Sequence, residues 1–217
     1  LKLEPDTELV ILEPGSAVPG DTDLVLLPGG KATRADLAAL RDAGFDIDIL
    51  AHHRRGGFVL GLCGGYQMLG RMVHDPDGLE GEPGSSPGLG LLDVETTLAP
   101  AKTVRQSRAI DITTGLAVEG YEIHQGLTTG PDTARPMLRL DHGPCGAIAP
   151  DGRVMGAYLH GLFAGDAFRH AFLVRIRARE ASDLAYAARI DAVLDHLAAR
   201  LATHLDTARI AAIAGLR

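Results

Sequence analysis

A single cysteine stands where an apolar run gives way to two glycines and a helix-like pattern. The apolar run is Phe58–Leu62, and it leads directly into Cys63, Gly64 and Gly65. A short apolar run bounded by glycine is typical of a strand buried on both faces of a parallel sheet. The glycines let the backbone turn sharply into a helix, which leaves the thiol exposed at the end of the strand. Because a helix N-terminus favours thiolate over thiol, this stretch predicts a cysteine nucleophile with a lowered pKa.

The alternative interpretation of Cys63 is a buried, inert side chain in an α/β core, which is the commoner case for a lone cysteine. Glycines flank Cys63 on both sides, with Gly61 before it and Gly64 and Gly65 after it. Since they coincide with a change from strand to helix, they favour the nucleophile.

A thiol nucleophile needs a base that takes up and returns a proton, and histidine has a suitable pKa. Of the nine histidines, His160 and His124 stand at the ends of expected strands, with glycine close behind. We favour His160, because its strand should end on the side of the sheet where Cys63 emerges. The other seven lie in expected helices or loops, and they are His52, His53, His74, His142, His170, His196 and His204.

Acyl transfer also needs paired backbone N–H groups that stabilise the oxyanion. Gly64 follows the nucleophile directly, and the pair Gly29 and Gly30 forms a glycine loop after an earlier strand. Ligands of open α/β sheets bind at such carboxyl ends of strands. We therefore expect these two glycine stretches to supply the donors.

The first quarter of the chain alternates strand and helix patterns. Apolar runs closed by Pro-Gly predict buried strands at Glu8–Leu12 and Asp23–Leu27. Helices ended by glycine are expected over Asp36–Ala43, capped by Thr33, and over Asp46–Arg55. Because the nucleophile strand follows, this order predicts a parallel sheet with a right-handed crossover.

The stretch His74–Gly90 is rich in glycine and proline and is expected to be a surface loop beside the site. Within it, Gly84–Gly88 matches the G-x-S-x-G pattern of serine esterases. No apolar strand precedes the match, and Pro87 lacks the N–H that a residue after a serine nucleophile donates to an oxyanion. We therefore reject a serine nucleophile here.

The second half of the chain adds further strand patterns and a helical tail. Four strands are expected in the outer part of the sheet, at Leu91–Leu98, Thr103–Ile112, Val118–His124 and Pro136–Leu140. The turn Pro150-Asp151-Gly152 predicts a hairpin between Cys145–Ala149 and Val154–Leu159. Apolar residues of the tail recur at helical spacing and predict an amphipathic helix that covers the core, namely Ile190, Val193, Leu194, Leu197, Leu201 and Leu205.

Charge and composition argue against several classes of function. The net charge of −7 disfavours a nucleic-acid or anionic-membrane partner. The two cysteines, Cys63 and Cys145, form no C-x-x-C pair, so neither a disulfide framework nor a metal site is expected. The sequence has no apolar span of membrane length and no signal pattern, which favours a cytoplasmic setting. The chain begins with Leu1 rather than Met, and we interpret its 217 residues as a segment of a longer polypeptide.

The stretches around Gly30, Cys63 and His160 together resemble the class I glutamine amidotransferases. The matching motifs are P-G-G, G-L-C-G-G-Y-Q and Y-L-H-G-L-F, of which G-x-C-x-G-x-Q is specific at this spacing. The resemblance implies an α/β, three-layer, flavodoxin-like fold with a mostly parallel central sheet and C-terminal helices. It also implies hydrolysis of glutamine through a cysteine thioester, with release of ammonia.

The resemblance also assigns roles to individual residues. Cys63 is the expected nucleophile and His160 the expected base, while Gly30 and Gly64 are the expected oxyanion donors. The expected substrate-binding residues are Gln67, His124 and Glu122.

The likeness is closer to the glutaminase domains of the cobyric acid synthase family. It rests on L-P-G-G-K-A-T-R-A-D-L, C-G-G-Y-Q-M-L-G, G-L-G-L-L-D-V-E-T, G-Y-E-I-H-Q-G-L-T and Y-L-H-G-L-F, between about Asp23 and Phe172. That family amidates carboxylate side chains of adenosyl-cobyrinic acid a,c-diamide with glutamine and ATP in cobalamin biosynthesis. The resemblance implies one glutaminase domain over residues 1–217, with a core over about 1–180 and a helical extension over about 181–217.

Two features distinguish this sequence from the proteins that it resembles. Most class I amidotransferases carry a glutamate two residues after the base, where it orients the imidazole, but here Leu162 stands at that position. The cobyric acid synthase branch is similar in this respect, and Glu122 is a candidate substitute. Second, the chain contains no G-x-x-x-x-G-K-[ST] phosphate loop.

The missing phosphate loop fits the absence of the family's N-terminal synthetase domain from this chain. The implied partners are L-glutamine, that synthetase domain and, through it, the corrinoid. No cofactor is expected in the glutaminase domain itself, and ATP and Mg²⁺ are expected only in the synthetase domain.

Three other functions remain open. The glutaminase domain of cobyrinic acid a,c-diamide synthase performs the same chemistry on an earlier corrinoid, although the stretches G-Y-E-I-H-Q-G and G-L-G-L-L-D-V-E-T favour cobyric acid synthase. A non-catalytic binding module would not need both Cys63 and His160. A cysteine or serine hydrolase of peptides is also conceivable, but Gln67 after the elbow favours glutamine.

Overall fold

The computed structural model describes residues 1–180 and 182–216, so the two ends of the expected extension over 181–217 lie outside the described residues. The strands in chain order are β1 (Leu24–Leu27), β2 (Phe58–Leu62), β3 (Met72–Asp75), β4 (Gly84–Pro87), β5 (Glu95–Asp111), β6 (Ala117–Thr129), β7 (Leu138–Leu140), β8 (Gly143–Cys145), β9 (Ala147–Ile148), β10 (Val154–Ala157) and β11 (Leu159–His160). The helices are α1 (Thr33–Asp42), α2 (Phe45–Arg54), α3 (Gly64–Leu69), α4 (Asp166–Ile176), α5 (Tyr186–His204) and α6 (Thr207–Ile213), with a short 3-10 helix at Pro131–Ala134.

The first sheet has the order β1-β2-β10-β9. Its inner strand β2 leads directly into Cys63. β2 is parallel to both neighbours, so that Leu60 lies opposite Leu26 on one side and Met155 on the other. β9 is antiparallel to β10, and the turn between them is closed by the Ala149 amide, which donates to the Val154 carbonyl at 2.9 Å. The expected parallel sheet and the expected hairpin are therefore confirmed.

Helices α2 and α3 contact the strands of this sheet, and α1 contacts both of these helices. Leu37 of α1 and Ile49 of α2 are buried, as are Tyr66 and Leu69 of α3. The two expected helices after β1 are confirmed, but the expected cap is wrong. Ala32 occupies the N-cap position. Thr33 lies inside the helix, because its hydroxyl donates to Gln67 of α3 instead of capping α1.

The four strands expected in the outer part of the sheet lie instead in a second sheet, which is mostly antiparallel. The order of this second sheet is β11-β6-β5-β3-β4. β7 extends it from β5, and β8 pairs with β7. β5 and β6 form a long antiparallel ribbon whose register shifts between Thr97 and Lys102. The two strands expected on either side of that shift are therefore parts of β5, since the irregularity interrupts the pairing without ending the strand.

Two sequence expectations about loops and strands are wrong. Glu8–Leu12 forms no strand, and Leu9, Val10 and Ile11 are exposed, because a strand needs a paired neighbour and β1 pairs only with β2. The expected loop His74–Gly90 contains the second half of β3 and all of β4, which pair antiparallel with each other. The rejected esterase-like serines lie in β4, so no elbow surrounds them.

The N-terminal segment is held against α4 by buried ion pairs. Glu4 accepts hydrogen bonds from Arg169 at 2.5 Å and from Arg179 at 2.8 Å, and Arg169 also donates to Asp166 at 2.6 Å. Arg169 is 2 % exposed, so breaking this cluster would leave an unpaired buried charge. The first residues of the chain are thereby fixed to the end of the core.

The helical tail departs from the expectation that it covers the core. α5 forms where the periodicity predicts a helix, but it contains no buried residue. Its apolar side chains, including Leu194 and Leu197, are about half exposed at 54 % and 50 %. The 3.6-residue pattern correctly identifies the helix, whereas the surface that its apolar face meets depends on tertiary contacts that the pattern does not contain.

Candidate active site

The sharp turn at Cys63 is built as the sequence predicts. Cys63 has φ 53° and ψ −114°, and it is the one non-glycine residue with positive φ among the described residues. A side chain at Gly65 would collide with the carbonyl of Leu27, and one at Gly61 would meet the Gly65 backbone at 2.6 Å. The glycines therefore let α3 lie directly on the sheet. Cys63 is held in a strained conformation that costs about 1–3 kcal/mol.

Cys63 is half-buried, and both its amide and its thiol hydrogen-bond to the protein backbone. Its amide donates to the Ala157 carbonyl of β10 at 2.9 Å, and its Sγ donates to the Ile123 carbonyl of β6 at 3.4 Å. Burial raises the pKa of the Cys63 thiol, the Gly64 N–H lowers it, and the nearby Glu80 carboxylate raises it. The expectation of a lowered pKa is wrong, because desolvation outweighs the hydrogen bond at this short helix. The thiol therefore needs a proton acceptor.

Two histidines of the second sheet are the candidate proton acceptors for the thiol, namely His160 of β11 and His124 of β6. The His160 ring stacks on Tyr121 with a centroid distance of 5.0 Å and an interplanar angle of 6°. The His124 ring stacks on Tyr158 at 3.8 Å and 14°. Burial lowers the pKa of His124, and among the smaller effects Glu122 raises that pKa while His160 lowers it. Burial therefore favours the neutral form of His124, in which one ring nitrogen can accept a proton.

Each of these rings keeps one nitrogen free. His160 Nε2 and His124 Nδ1 are buried and find no hydrogen-bond partner among the described residues. The thiol itself donates to the Ile123 carbonyl rather than to either imidazole. Catalytic hydrogen bonds are often loose in unliganded sites, so the choice of His160 over His124 stays a prediction.

His160 reaches this position because the chain changes sheets after β10. β10 lies beside the nucleophile strand and ends at Ala157, and β11 then pairs antiparallel with β6. We expected His160 in the strand next to β2. The structure instead places it three residues beyond the end of that strand. Tyr158, at the crossing point, is buried between the two sheets.

The two expected oxyanion donors lie together beside the thiol. A Cβ atom placed on Gly64 would be 3.1 Å from the Gly30 nitrogen, and one placed on Gly29 would be 3.4 Å from Cys63 Sγ. A substrate oxygen near Sγ would thus meet two backbone N–H groups. Their role as oxyanion donors stays a prediction.

Gln67 is buried at the centre of the site, and both ends of its carboxamide are engaged. Its Oε1 accepts from the Thr33 hydroxyl at 2.8 Å. Its Nε2 donates to the Gln125 carbonyl at 3.0 Å and to the Tyr158 hydroxyl at 3.3 Å. The side chain therefore links α1, α3 and β6. Its expected contact with glutamine stays a prediction, because Gln67 would have to exchange one of these hydrogen-bond partners for the substrate.

Glu122 does not orient the base, which corrects the suggestion from the sequence. In the register of β6 and β11, Tyr121 lies opposite His160, whereas Glu122 lies opposite Leu159 on the other face. The Glu122 carboxylate accepts from the Ser107 hydroxyl at 2.7 Å and lies 3.3 Å from His142 Nε2. It faces a cavity of about 410 Å³, which His124 and Tyr158 also line.

The structure adds three residues that the sequence reasoning missed. Thr33 bonds to Gln67, and its hydroxyl lies 3.4 Å from the Glu80 carboxylate. Tyr158 supports His124, Gln67 and the Thr128 hydroxyl. Thr33 and Tyr158 belong to motifs that carried the family resemblance, so that signal was available. No pattern marked Glu80, because it lies in the stretch interpreted as a surface loop.

The described residues contain neither a metal-binding cluster nor a membrane-spanning helix. Within residues 1–180 and 182–216, no three histidine, cysteine or carboxylate side chains converge as metal ligands would. Over the same residues, no helix combines the length and apolar character that crossing a membrane requires.

The strand–elbow–helix, the adjacent glycine loop and the neighbouring imidazoles together define a glutamine amidotransferase fold. Solved structures support this class. The chain is similar to a crystal structure of a glutamine amidotransferase, with a TM-score of 0.52 at 17 % identity over 71 % of this chain and 78 % of that one. It is also similar to the PurLQS structure from Thermotoga maritima, with a TM-score of 0.50 at 19 % identity over 69 % and 73 %.

The chain belongs to the family of CobB/CobQ-like glutamine amidotransferase domains, which it matches over residues 1–168. It is 58 % identical to a cobyric acid synthase of Paracoccus denitrificans, 56 % identical to one of Cereibacter sphaeroides and 54 % identical to one of Bradyrhizobium diazoefficiens. Each match covers 99 % of this chain but 44 % of the relative. The chain therefore spans less than half the length of these curated relatives.

Proposed function

We propose that this domain hydrolyses glutamine and that Cys63 is its nucleophile. The observation that carries the proposal is the strained turn, which places the Cys63 thiol beside the Gly30 and Gly64 N–H groups and against the Ile123 carbonyl of β6. His124 of β6 and His160 of the paired strand β11 each keep an unpartnered ring nitrogen. A scaffold protein would need neither the strain nor this combination of groups.

The proposed reaction has two halves. His160 takes the thiol proton, Cys63 Sγ attacks the carboxamide carbon of glutamine, and the two N–H groups stabilise the oxyanion. His160 then gives the proton to the departing nitrogen, so ammonia leaves and a thioester remains. Water attacks the thioester with His160 as base, glutamate leaves, and the proton returns to the sulfur. Before the first half, the thiol must exchange its bond to the Ile123 carbonyl for one to the base.

This reaction is tested by turnover and by covalent labelling. The 217-residue chain is incubated with glutamine, and ammonia and glutamate are measured in parallel. A glutamine-mimicking alkylator should add one equivalent, which mass spectrometry should map to Cys63 and which Cys63→Ala should lose. Labelling of Cys145 in place of Cys63 would contradict the assignment.

For the complete polypeptide, we propose the function of the glutaminase half of a cobyric acid synthase. It would supply ammonia for the ATP-dependent amidation of adenosyl-cobyrinic acid a,c-diamide in the cytoplasm. The names of the relatives support this over a cobyrinic acid a,c-diamide synthase. ATP, Mg²⁺ and the corrinoid would bind to the synthetase domain, which accounts for the remaining length of the relatives.

We further propose that the isolated chain is a weak glutaminase which the synthetase domain activates. The thiol bonds to a carbonyl instead of a base, and apolar side chains near it are exposed, with Val104 at 68 % and Ile123 at 38 %. A domain docked there would cover them and could shift β6 toward the catalytic arrangement. The measurement compares kcat/KM for glutamine with and without the synthetase domain, ATP and corrinoid. Equal values would show that the site is already complete.

A further inference from the structure

Within residues 1–180 and 182–216, no carboxylate forms a hydrogen bond or ion pair that would orient the imidazole of His160. Leu162, at the position where the broader class has a glutamate, is 1 % exposed and packs in the core. The carboxylate that the sequence suggested, Glu122, lies on the opposite face of β6, where it contacts Ser107 and His142. A freely rotating imidazole would lose much of its value as a base, since small errors of position reduce rates strongly. Some other group must therefore hold the ring.

The backbone of His160 is held by two glycines. A side chain on Gly120 would collide with the His160 carbonyl, so β11 can approach β6 this closely only because that position is glycine. Gly161 follows with φ +80°, a conformation that favours glycine, and it turns the chain away from β6 directly after the histidine. These contacts determine where the Cα atom of His160 lies, but they leave the ring free to rotate.

The ring itself is held by Tyr121. Tyr121 lies directly opposite His160 in the antiparallel register, and their rings are nearly parallel at 6° with centroids 5.0 Å apart. Such a contact restricts rotation of the imidazole plane, and it engages the face of the ring rather than its edge. His160 Nε2 remains buried without a partner among the described residues. The stack thus orients the ring and leaves that nitrogen available for a proton.

We propose that Tyr121 is the positioning residue for the base, in the place that a carboxylate takes elsewhere in the class. The proposal rests on the proposed glutaminase function. Tyr121 does not take up a proton or touch the thiol. It acts through the plane of the His160 ring, so its aromatic ring and not its hydroxyl is the required part.

The test uses three variants of the 217-residue chain. Tyr121→Phe keeps the ring and removes the hydroxyl, whereas Tyr121→Leu keeps an apolar side chain and removes the ring. Gln106→Ala is the matched control, because Gln106 is exposed on β5 directly opposite Tyr121. Each variant is compared with the wild type by kcat and KM for glutamine, by the unfolding midpoint, and by the NMR signals of the His160 ring protons.

We expect Tyr121→Leu to lower kcat by roughly 10- to 100-fold, as a misplaced base would. KM should change little, and the His160 ring signals should lose the shift caused by the stacked ring. Tyr121→Phe should retain most of kcat and the shifted signals, and Gln106→Ala should match the wild type. Because Tyr121 is 45 % exposed, we expect all variants to fold.

Three results would overturn the inference, and they can be told apart. Unchanged kcat in a folded Tyr121→Leu variant would show that the stack does not position the base. An equal loss in Tyr121→Phe would assign the effect to the hydroxyl. A wild-type chain that releases no ammonia, alone or with the synthetase domain, would overturn the proposed function and this inference with it.

Discussion

The two cysteines of this domain occupy sites that share several components and differ in chemistry. Cys63 directly follows β2 and Cys145 ends β8, both thiols have a raised pKa, and each has a histidine in its neighbourhood. At Cys145, burial raises the thiol pKa to about 11, and the thiol accepts a hydrogen bond from the Tyr158 amide at 3.5 Å. The neighbouring His142 is paired with Glu122.

At Cys63 the corresponding groups are left free. The thiol donates a hydrogen bond to the Ile123 carbonyl, and His160 keeps an unpartnered ring nitrogen. The Cys63 backbone is strained, and glycines without side chains surround the sulfur. The proposed nucleophile Cys63 thus differs from Cys145 in the unused bonding capacity around the sulfur, more than in the residue types nearby.

The histidines provide the strongest test of this difference. Because His160 is free to accept a proton and His142 is paired, His160→Ala should lower kcat by about 10²- to 10⁴-fold, whereas His142→Ala should have little effect. The measurement is glutamine turnover by both variants, with circular dichroism to confirm that each is folded.

His124→Ala belongs in the same experiment, because His124 also has a free nitrogen. We expect it to lose much less activity than His160→Ala. If His124→Ala loses more, the roles of the two histidines must be exchanged. If His142→Ala loses as much as either, the contrast between the two cysteine sites is wrong.

The glycines around the sulfur provide the second test, through stability. Alanine is intrinsically favoured over glycine in a helix, so Gly65→Ala would stabilise an unhindered α3. Here the added carbon would overlap the Leu27 carbonyl, and we expect the free energy of unfolding to fall by about 1–3 kcal/mol. Gly20→Ala is the control, because nothing lies within 4 Å of its added carbon. Chemical denaturation of both variants measures the difference, and equal midpoints would show that the turn at Cys63 tolerates side chains.

These local features explain why the site was largely predictable from the sequence. The strand, the turn and α3 are contiguous, so the pattern around Cys63 contains the information that builds them. The crossover from β1 to β2 is likewise determined by short-range order, since parallel connections have one preferred hand. The strand before Cys63, the turn at it and the helix after it therefore lie where the sequence predicts them.

Features that depend on pairing between distant strands were not predictable. Glu122 was a reasonable substitute for the missing glutamate until the register of β6 and β11 placed Tyr121 opposite His160. A shift of one residue in that register would exchange the two faces, and no local pattern determines it. The same reason applies to Glu8–Leu12 and to α5, whose apolar residues predict a strand and a buried helix face without specifying a partner.

The smallest expected effect concerns the charge beside Cys63. Asp75 accepts hydrogen bonds from the Leu79 amide at 2.8 Å and the Glu80 amide at 3.0 Å, which fixes the backbone of Glu80 near the thiol. The Glu80 carboxylate raises the pKa of Cys63, so the neutral side chain of Glu80→Gln should lower it. A lower thiol pKa means more thiolate at a given pH, and the pH profile for alkylation of Cys63 should move toward lower pH.

The control for this change is Glu82→Gln, which removes an exposed carboxylate from the same loop. Alkylation rates are measured across a pH series by mass spectrometry, which reports Cys63 and Cys145 separately in each sample. We expect Glu80→Gln to shift the Cys63 profile and Glu82→Gln to leave it unchanged, with Cys145 unreactive in both because it is buried and its pKa is about 11. The direction is decisive, because the charge of the Glu80 carboxylate opposes thiolate formation at Cys63. A shift toward higher pH would mean that the altered Thr33 and Gln67 contacts outweigh the lost charge, and that Glu80 supports the nucleophile through hydrogen bonds.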